Sequence, residues 1–128
     1  MKKIAVVILN YNGKSFLEKF LPNVIENTSG VAEIIVADNN STDNSVDFMR
    51  NNFPDIRLII NDFNGGFATG YNLALRQVEA DYYVLLNSDI EVTPHWIEPV
   101  IELMESDEKI AACQSKILSY HDKTKFEY

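Results

Sequence analysis

The sequence predicts an α/β fold, a doubly wound, mostly parallel sheet with helices on both faces. Three observations carry that expectation. Short unbroken apolar runs, of the kind buried on both faces of a parallel sheet, alternate with stretches whose apolar residues recur every three or four positions. Each run stops at a polar cluster rich in Asn and Asp. The strand–helix alternation repeats along the chain, and right-handed crossovers place such helices on both sides of the sheet.

Residues 4–9 form the first apolar run, closed by Asn10-Tyr11-Asn12-Gly13. A helix follows, with Phe16, Leu17, Phe20, Leu21, Val24 and Ile25 on one face. Ser15 is its expected N-cap, Pro22 is expected to kink or shorten it, and Gly30 ends the segment. Residues 33–37 form the second strand, running into Asp38-Asn39-Asn40-Ser41-Thr42-Asp43. Ser41 or Thr42 is expected to cap a helix carrying Val46, Phe48, Met49 and Phe53, stopped by Pro54. Residues 56–60 are the third strand, ending in Asn61-Asp62-Phe63-Asn64-Gly65-Gly66 before a helix with Tyr71, Leu73, Ala74, Leu75 and Val78. Residues 82–86 are the fourth strand and deliver Asn87-Ser88-Asp89. Thr93-Pro94 is expected to open a helix with Trp96, Ile97, Val100, Ile101 and Met104 inward and a bend at Pro99. Residues 110–118 are expected to be a last strand with Cys113 in the core, and residues 121–128 a polar tail without a closing element.

The 128 residues suffice for one domain, expected to span residues 1–128. A formal net charge of -8 argues against holding a nucleic-acid backbone, since no basic patch can displace its counterions. The single cysteine rules out an internal disulfide and fits a cytoplasmic setting. The apolar run after Lys2-Lys3 is short for a secretory signal and lacks a small-residue cleavage pattern.

In open parallel sheets, ligands bind beyond the carboxyl ends of the strands, where the strand order reverses. With the common order 3-2-1-4, residues 10–12, 38–41 and 87–89 would share one cleft. A single Asn-Ser-Asp is equally a turn. Several such clusters at one sheet edge read as a polar binding site. Asp38 could accept from the imide N–H of a pyrimidine base, and Gly65-Gly66 could let the backbone approach a phosphate. Asp89 could hold Mg²⁺ or Mn²⁺, which needs only one or two protein carboxylates when phosphates supply other ligands. His95 and His121 lack metal-ligand spacing, and no nucleophile–base set is apparent. Phe67 stands where G-x-G-x-x-G needs its middle glycine, and Tyr71-Asn72 stands where a P-loop needs Lys-Ser/Thr, so both phosphate fingerprints fail.

Val6-Val7-Ile8-Leu9-Asn10-Tyr11-Asn12, Ile35-Val36-Ala37-Asp38-Asn39-Asn40-Ser41-Thr42-Asp43, Asn64-Gly65-Gly66-Phe67-Ala68-Thr69-Gly70-Tyr71-Asn72 and Leu85-Leu86-Asn87-Ser88-Asp89 occur in this order. Together they resemble family 2 inverting glycosyltransferases of the GT-A fold, most closely the rhamnosyltransferase-like branch. The resemblance implies a nucleotide-diphosphate-sugar donor and a glycan or lipid-linked acceptor in cell-envelope polysaccharide synthesis. It implies Asn10, Tyr11 and Asn12 lining the nucleotide pocket and Asp38 and Asn39 facing the base. Asn64, Gly65 and Gly66 would edge the nucleoside and diphosphate, with Asn72 near them. Asn87, Ser88 and Asp89 stand at the family's Asp-x-Asp, with Asp89 as ligand of a divalent metal, Mn²⁺ or Mg²⁺. Asn87 replaces the first Asp of that pair, which removes one negative charge from the metal site. Because such enzymes run to roughly twice one such domain, the chain is expected to be the donor-binding, N-terminal part of a longer enzyme. The base that deprotonates the acceptor would then lie outside it. The full-length enzyme is expected in the cytoplasm, peripherally associated with the inner face of the cell membrane. Two other readings are a sugar nucleotidyltransferase, whose basic Gly-rich loop is reduced here to Asn12-Gly13-Lys14, and a non-catalytic α/β regulatory module of the receiver type. The latter fits poorly, because the first strand ends in Asn10 rather than in acidic residues.

Overall fold

The computed structural model describes residues 2–127; Met1 and Tyr128, the two ends of the expected domain and tail, lie outside the described residues. The elements run β1 (Ile4–Asn10), α1 (Lys14–Thr28), β2 (Glu33–Asp38), α2 (Ser45–Asn52), β3 (Arg57–Ile60), α3 (Phe67–Leu75), β4 (Tyr82–Asn87) and α4 (Glu98–Ser106). The strands form one sheet in the order β3-β2-β1-β4, all parallel. This is the common order 3-2-1-4, the condition under which the polar strand ends share one cleft. Register aligns Asn10 with Asp38 and Leu9 with Asn87, so the polar ends of β1, β2 and β4 arrive together at one edge.

Side chains alternate across the sheet and build a core on each face. On one face Val6, Ile8 and Val36 pack with Leu17, Leu21 and Val24 of α1 and Met49 of α2. On the other, Ala5, Val7, Ile35 and Ala37 pack with Tyr71 and Ala74 of α3. Tyr71 is 3% exposed, and its hydroxyl donates to the Leu86 carbonyl at 2.9 Å, tying α3 to β4. Burial pushes this phenol from its usual 10.0 up to about 12. A phenol harder to ionise in the folded state stabilises the fold fully below its unfolded pKa, and that contribution is lost as pH rises through the folded value. The two-unit gap corresponds to about 2–3 kcal/mol. Urea titrations at about pH 9 and about pH 11.5 are therefore expected to show a steeper loss of stability for the wild type than for Tyr71→Phe. Parallel losses in the two proteins would contradict this.

Several local expectations are corrected. Residues 110–118 form no strand, and Cys113 is exposed. A strand is a paired object, and the sheet ends at β4 with no ladder reaching this stretch. Instead, residue Leu118 bridges Phe126 antiparallel, so the tail does close on itself. Tyr120 of that segment packs edge-on against Phe20 and lies under the ammonium groups of Lys19 and Lys123. The N-cap of α1 is Gly13, not Ser15, with no side-chain cap bond. α1 runs through Pro22, which sits on its exposed face. The carbonyl that loses its N–H partner there is one turn back, at exposed Glu18, where water can solvate it. α4 opens at Glu98 rather than at Thr93-Pro94. Pro99 takes the first turn, where its missing N–H costs nothing, so it starts the helix instead of bending it. His95, with φ 58, stands before that start in the left-handed region. Trp96 precedes the helix, and its indole N–H donates to Thr28 Oγ1 at 3.2 Å. β4 was expected to be covered on both faces, but Tyr83 and Leu85 are 42% and 53% exposed. α3 covers β1 and β2 and leaves this side of the edge strand open.

Candidate functional site

The strand ends enclose a cleft of about 320 Å³ lined by Leu9, Tyr11, Phe16, Asn39, Asn64, Gly66, Phe67, Asn87, Ser88 and Asp89. Seven of these are positions singled out from the sequence (Tyr11, Asn39, Asn64, Gly66, Asn87, Ser88 and Asp89). They come from β1, β2 and β4 and from the loop before α3, which the sheet order makes neighbours.

Behind this lining sits a buried polar knot. Asp38 is 1% exposed, and its carboxylate accepts from Asn10 Nδ2 at 3.0 Å, Ser41 N at 2.8 Å and Ser41 Oγ at 2.7 Å. The Asn10 bond ties the ends of β1 and β2 together, the two Ser41 bonds hold the loop after β2, and Asp38 does not line the cleft. Asn10 is fully buried and is likewise part of the support. Its Oδ1 is a buried acceptor without a partner among the described residues. Asn12 adopts φ 50, a left-handed conformation that Asn tolerates, and clamps the same loop. Its Oδ1 accepts from Thr42 N at 2.7 Å and Asp43 N at 3.1 Å, and its backbone N–H donates to Ser41 Oγ at 2.9 Å. Ser41 and Thr42 are thereby committed to the clamp rather than to capping α2. Asp43 takes the helix end, accepting from Ser45 N at 2.9 Å and from Lys14 N at 3.2 Å. Slight desolvation works against its charge, yet the hydrogen bonds from the Ser45 hydroxyl and from the Ser45 and Lys14 N–H groups prevail and hold its carboxyl below the usual range.

A second network fixes the glycine loop. Asn39 Nδ2 donates to Asn64 Oδ1 at 2.8 Å and to the Gly66 carbonyl at 3.2 Å. Asn64 Oδ1 also accepts from Gly66 N at 2.9 Å. Gly66 has φ 90, which a side chain would resist, and this turn starts α3. Gly65 lies outside the lining of the cleft, and Asn72 sits on the exposed face of α3, also outside it. The lining residues that sequence reasoning missed are Leu9, Phe16 and Phe67. Phe16 and Phe67 are 46% and 62% exposed, and Phe67 is propped edge-on by Tyr71 at 5.0 Å. Exposed aromatic residues at a rim were the available signal, hidden because each also fits a helical apolar pattern.

The cleft thus pairs aromatic walls with carboxamides and one carboxylate. Such a surface can stack a planar base and offer hydrogen bonds to its edge. Asp89 is exposed beside Asn87 and Ser88. Among the described residues there is no group of three or more His, Cys, Asp or Glu able to hold a metal. A metal bound by protein alone therefore does not fit, whereas one carboxylate suffices for an ion carried on a diphosphate.

The family model of glycosyl transferase family 2 matches residues 5–128. An uncharacterised glycosyltransferase of Haemophilus influenzae is 26% identical over 115 residues, covering 88% of this chain and 36% of its own length. The N-acetylglucosaminyl-diphospho-decaprenol L-rhamnosyltransferase of Mycobacterium tuberculosis is 24% identical over 110 residues, covering 77% of this chain and 36% of its own. Among solved structures, the mannosyltransferase PcManGT of Pyrobaculum calidifontis, in complex with GDP-Man and Mn²⁺, superposes with a TM-score of 0.60 at 26% identity, over 69% of this chain and 28% of that one. The chain therefore spans about a third of the length of these relatives. With its parallel sheet, its strand-end cleft and a family match over nearly its whole length, the chain belongs to glycosyl transferase family 2 and has the GT-A fold.

Proposed function

We propose that this chain is the donor-binding part of a glycosyltransferase that moves a sugar from a nucleotide-diphosphate-sugar onto a saccharide or lipid-linked acceptor of the cell envelope. The observation that carries the reading is the convergence of Tyr11, Asn39, Asn64 and Asp89 on one cleft at the carboxyl edge of the sheet. Tyr11 and Phe67 offer faces for the base, and the carboxamides offer its edge partners. Asp89 would hold a divalent ion on the diphosphate, which when bound stabilises the charge of the departing group. The chain's own task is to orient the donor and exclude water from it. Among the described residues Asp89 is the only carboxylate lining the cleft, and the base that deprotonates the acceptor hydroxyl is assigned to the rest of the longer protein. The reading places that protein in the cytoplasm, peripherally attached to the inner face of the membrane. The lipid-linked acceptor in the rhamnosyltransferase relative's name supports the acceptor class, and the GDP-Man and Mn²⁺ of the mannosyltransferase support the donor and the metal.

Thermal unfolding with UDP, dTDP, GDP or ADP, each with and without Mn²⁺, tests this. A ligand at about a hundredfold excess over its Kd is expected to stabilise the chain by about 2.7 kcal/mol. Asp89→Ala is expected to erase the increment due to Mn²⁺ and to leave metal-free binding in place. A chain indifferent to all four nucleotides would sink the proposal.

A further inference from the structure

Asp89 stands midway along a short bridge of backbone that is held at each end by one polar side chain. Three residues before it, the Leu86 carbonyl accepts from the buried Tyr71 hydroxyl at 2.9 Å. Three residues after it, Val92 is gripped from the other face of the sheet by Asn23 of α1. Asn23 Nδ2 donates to the Val92 carbonyl at 3.0 Å, and Val92 N donates to Asn23 Oδ1 at 2.8 Å. One carboxamide thus takes both backbone groups of one residue, as a paired strand would. Its orientation is fixed, because the Val92 N–H can only donate and the Val92 carbonyl can only accept. Val92 is 7% exposed and belongs to the core with Leu21 and Ile97, so water is a poor substitute for the clamp. The other tie on this bridge, Lys123 to Glu91 at 3.4 Å, is an exposed ion pair of a class that contributes little. Asp89 itself is exposed, so its place at the cleft depends on the backbone that carries it.

Building on the donor-binding proposal, we infer that Asn23 is a positioning residue for the metal ligand: by fixing Val92 it holds Asp89 where a divalent ion on the diphosphate can be bound. Asn23 acts from outside the cleft, 69 residues away from Val92 in the chain. Without the clamp, Tyr71 keeps the first end of the bridge and the second is released. Asp89 then samples several positions. Affinity for an ion that needs one of them falls by the fraction of time spent in the others. The walls that receive the base, Tyr11 and Phe67, and the carboxamide of Asn64 come from the end of β1, from α3 and from the loop before α3. None of these is carried by residues 87–92, so nucleotide binding without metal is expected to survive. Asn23→Leu tests this, since leucine has nearly the same shape and neither polar group.

The readout is the gain in UDP and GDP affinity on adding Mn²⁺, measured by calorimetry, with folding checked by circular dichroism. Asn23→Leu is expected to cut that gain by about fivefold, the worth of roughly one hydrogen bond, and to leave metal-free affinity unchanged. Placed in the Asp89→Ala background, the same substitution is expected to change nothing further, because no carboxylate is left to position. Gly30→Ala, a destabilising change beyond the far end of α1, is expected to keep the full gain. A merely structural role would weaken binding equally with and without Mn²⁺. Coupling is reciprocal, so the metal must also tighten the clamp. In the wild type, deuterium exchange of the Val92 amide, followed by NMR, is expected to be about fivefold slower with nucleotide and Mg²⁺ than with nucleotide alone. That measurement decides the matter even if Asn23→Leu fails to fold. An intact gain in Asn23→Leu, an equal loss with and without Mn²⁺, or a Val92 amide indifferent to Mg²⁺ would each overturn the inference. Nucleotide binding that gains nothing from metal defeats this inference alone, whereas no binding by either nucleotide defeats the donor reading and this inference with it.

Discussion

Asp38→Ala is expected to lower the unfolding free energy by about 3–5 kcal/mol, the scale seen when one partner of a buried charged network is removed. The carboxylate is 1% exposed and accepts from Asn10 Nδ2, Ser41 N and Ser41 Oγ. Truncation leaves the fully buried Asn10 Nδ2 and the half-buried Ser41 donors without that acceptor. Asn10 suffers most. Its Oδ1 already lacks a partner, and its Nδ2 would keep only the long 3.5 Å bond to Ser41 Oγ. Asp38→Asn is expected to recover little, because its amide NH2 would face either Asn10 Nδ2 or Ser41 N, donor against donor. Urea unfolding followed by circular dichroism measures both variants. A loss below about 1 kcal/mol in Asp38→Ala would show that the knot is not under the strain of desolvation assigned to it. The variant should also weaken nucleotide binding, through the loop it releases rather than through a lost contact with the base.

Gly13→Ala is expected to cost about 2–3 kcal/mol, the range for forcing an extra methyl group into packed surroundings. A Cβ there would lie 2.4 Å from Asn10 Oδ1 and 3.2 Å from Ser88 Oγ. The backbone conformation of Gly13, φ -108, suits any residue, so the effect is purely one of space. Asn10 cannot yield, since it is held by Asp38 and by the register of β1 between β2 and β4. Gly30→Ala is the control. Its φ is +80 and nothing lies within 4 Å, so it loses only the backbone preference, about 1 kcal/mol. Equal losses at the two glycines, read from urea titrations, would refute the steric account.

The sheet was legible because its signal is redundant. Each of β1, β2 and β4 is an apolar run ending in a polar cluster, and their convergence at one edge followed once the order was assumed. What was not legible depends on neighbours. The apolar run of β4 reads the same whether or not a helix covers Tyr83 and Leu85. Residues 110–118 have strand-like composition, but pairing is a property of two segments and the second is absent from the sheet. Thr93-Pro94 and Glu98-Pro99 are both acceptable helix starts, and the left-handed turn at His95 decides between them. At the site, a carboxylate at a strand end suits either a ligand or a loop, so the sequence could not separate Asp38 from Asn39. Asn61 reads as a turn residue until its carboxamide is seen between Gly70 and Asn39.

The placement of β1 bears on how the chain reaches this structure. β1, one of the two inner strands, is made before its partner β4, which begins far downstream: Lys3 N meets Asp81 Oδ2 across 78 residues. No strand in this sheet pairs through a hairpin. Every ladder must close a loop before it gains any bonds, which makes folding slow for a chain of this length. Until β4 has been made, the edge of Ile4–Asn10 that faces it stays open even where β2 already pairs with the other. In that interval β1 is exposed to adventitious strand pairing, and a growing chain of this kind gains most from an early partner in β2 and from chaperones that shield the run until β4 emerges.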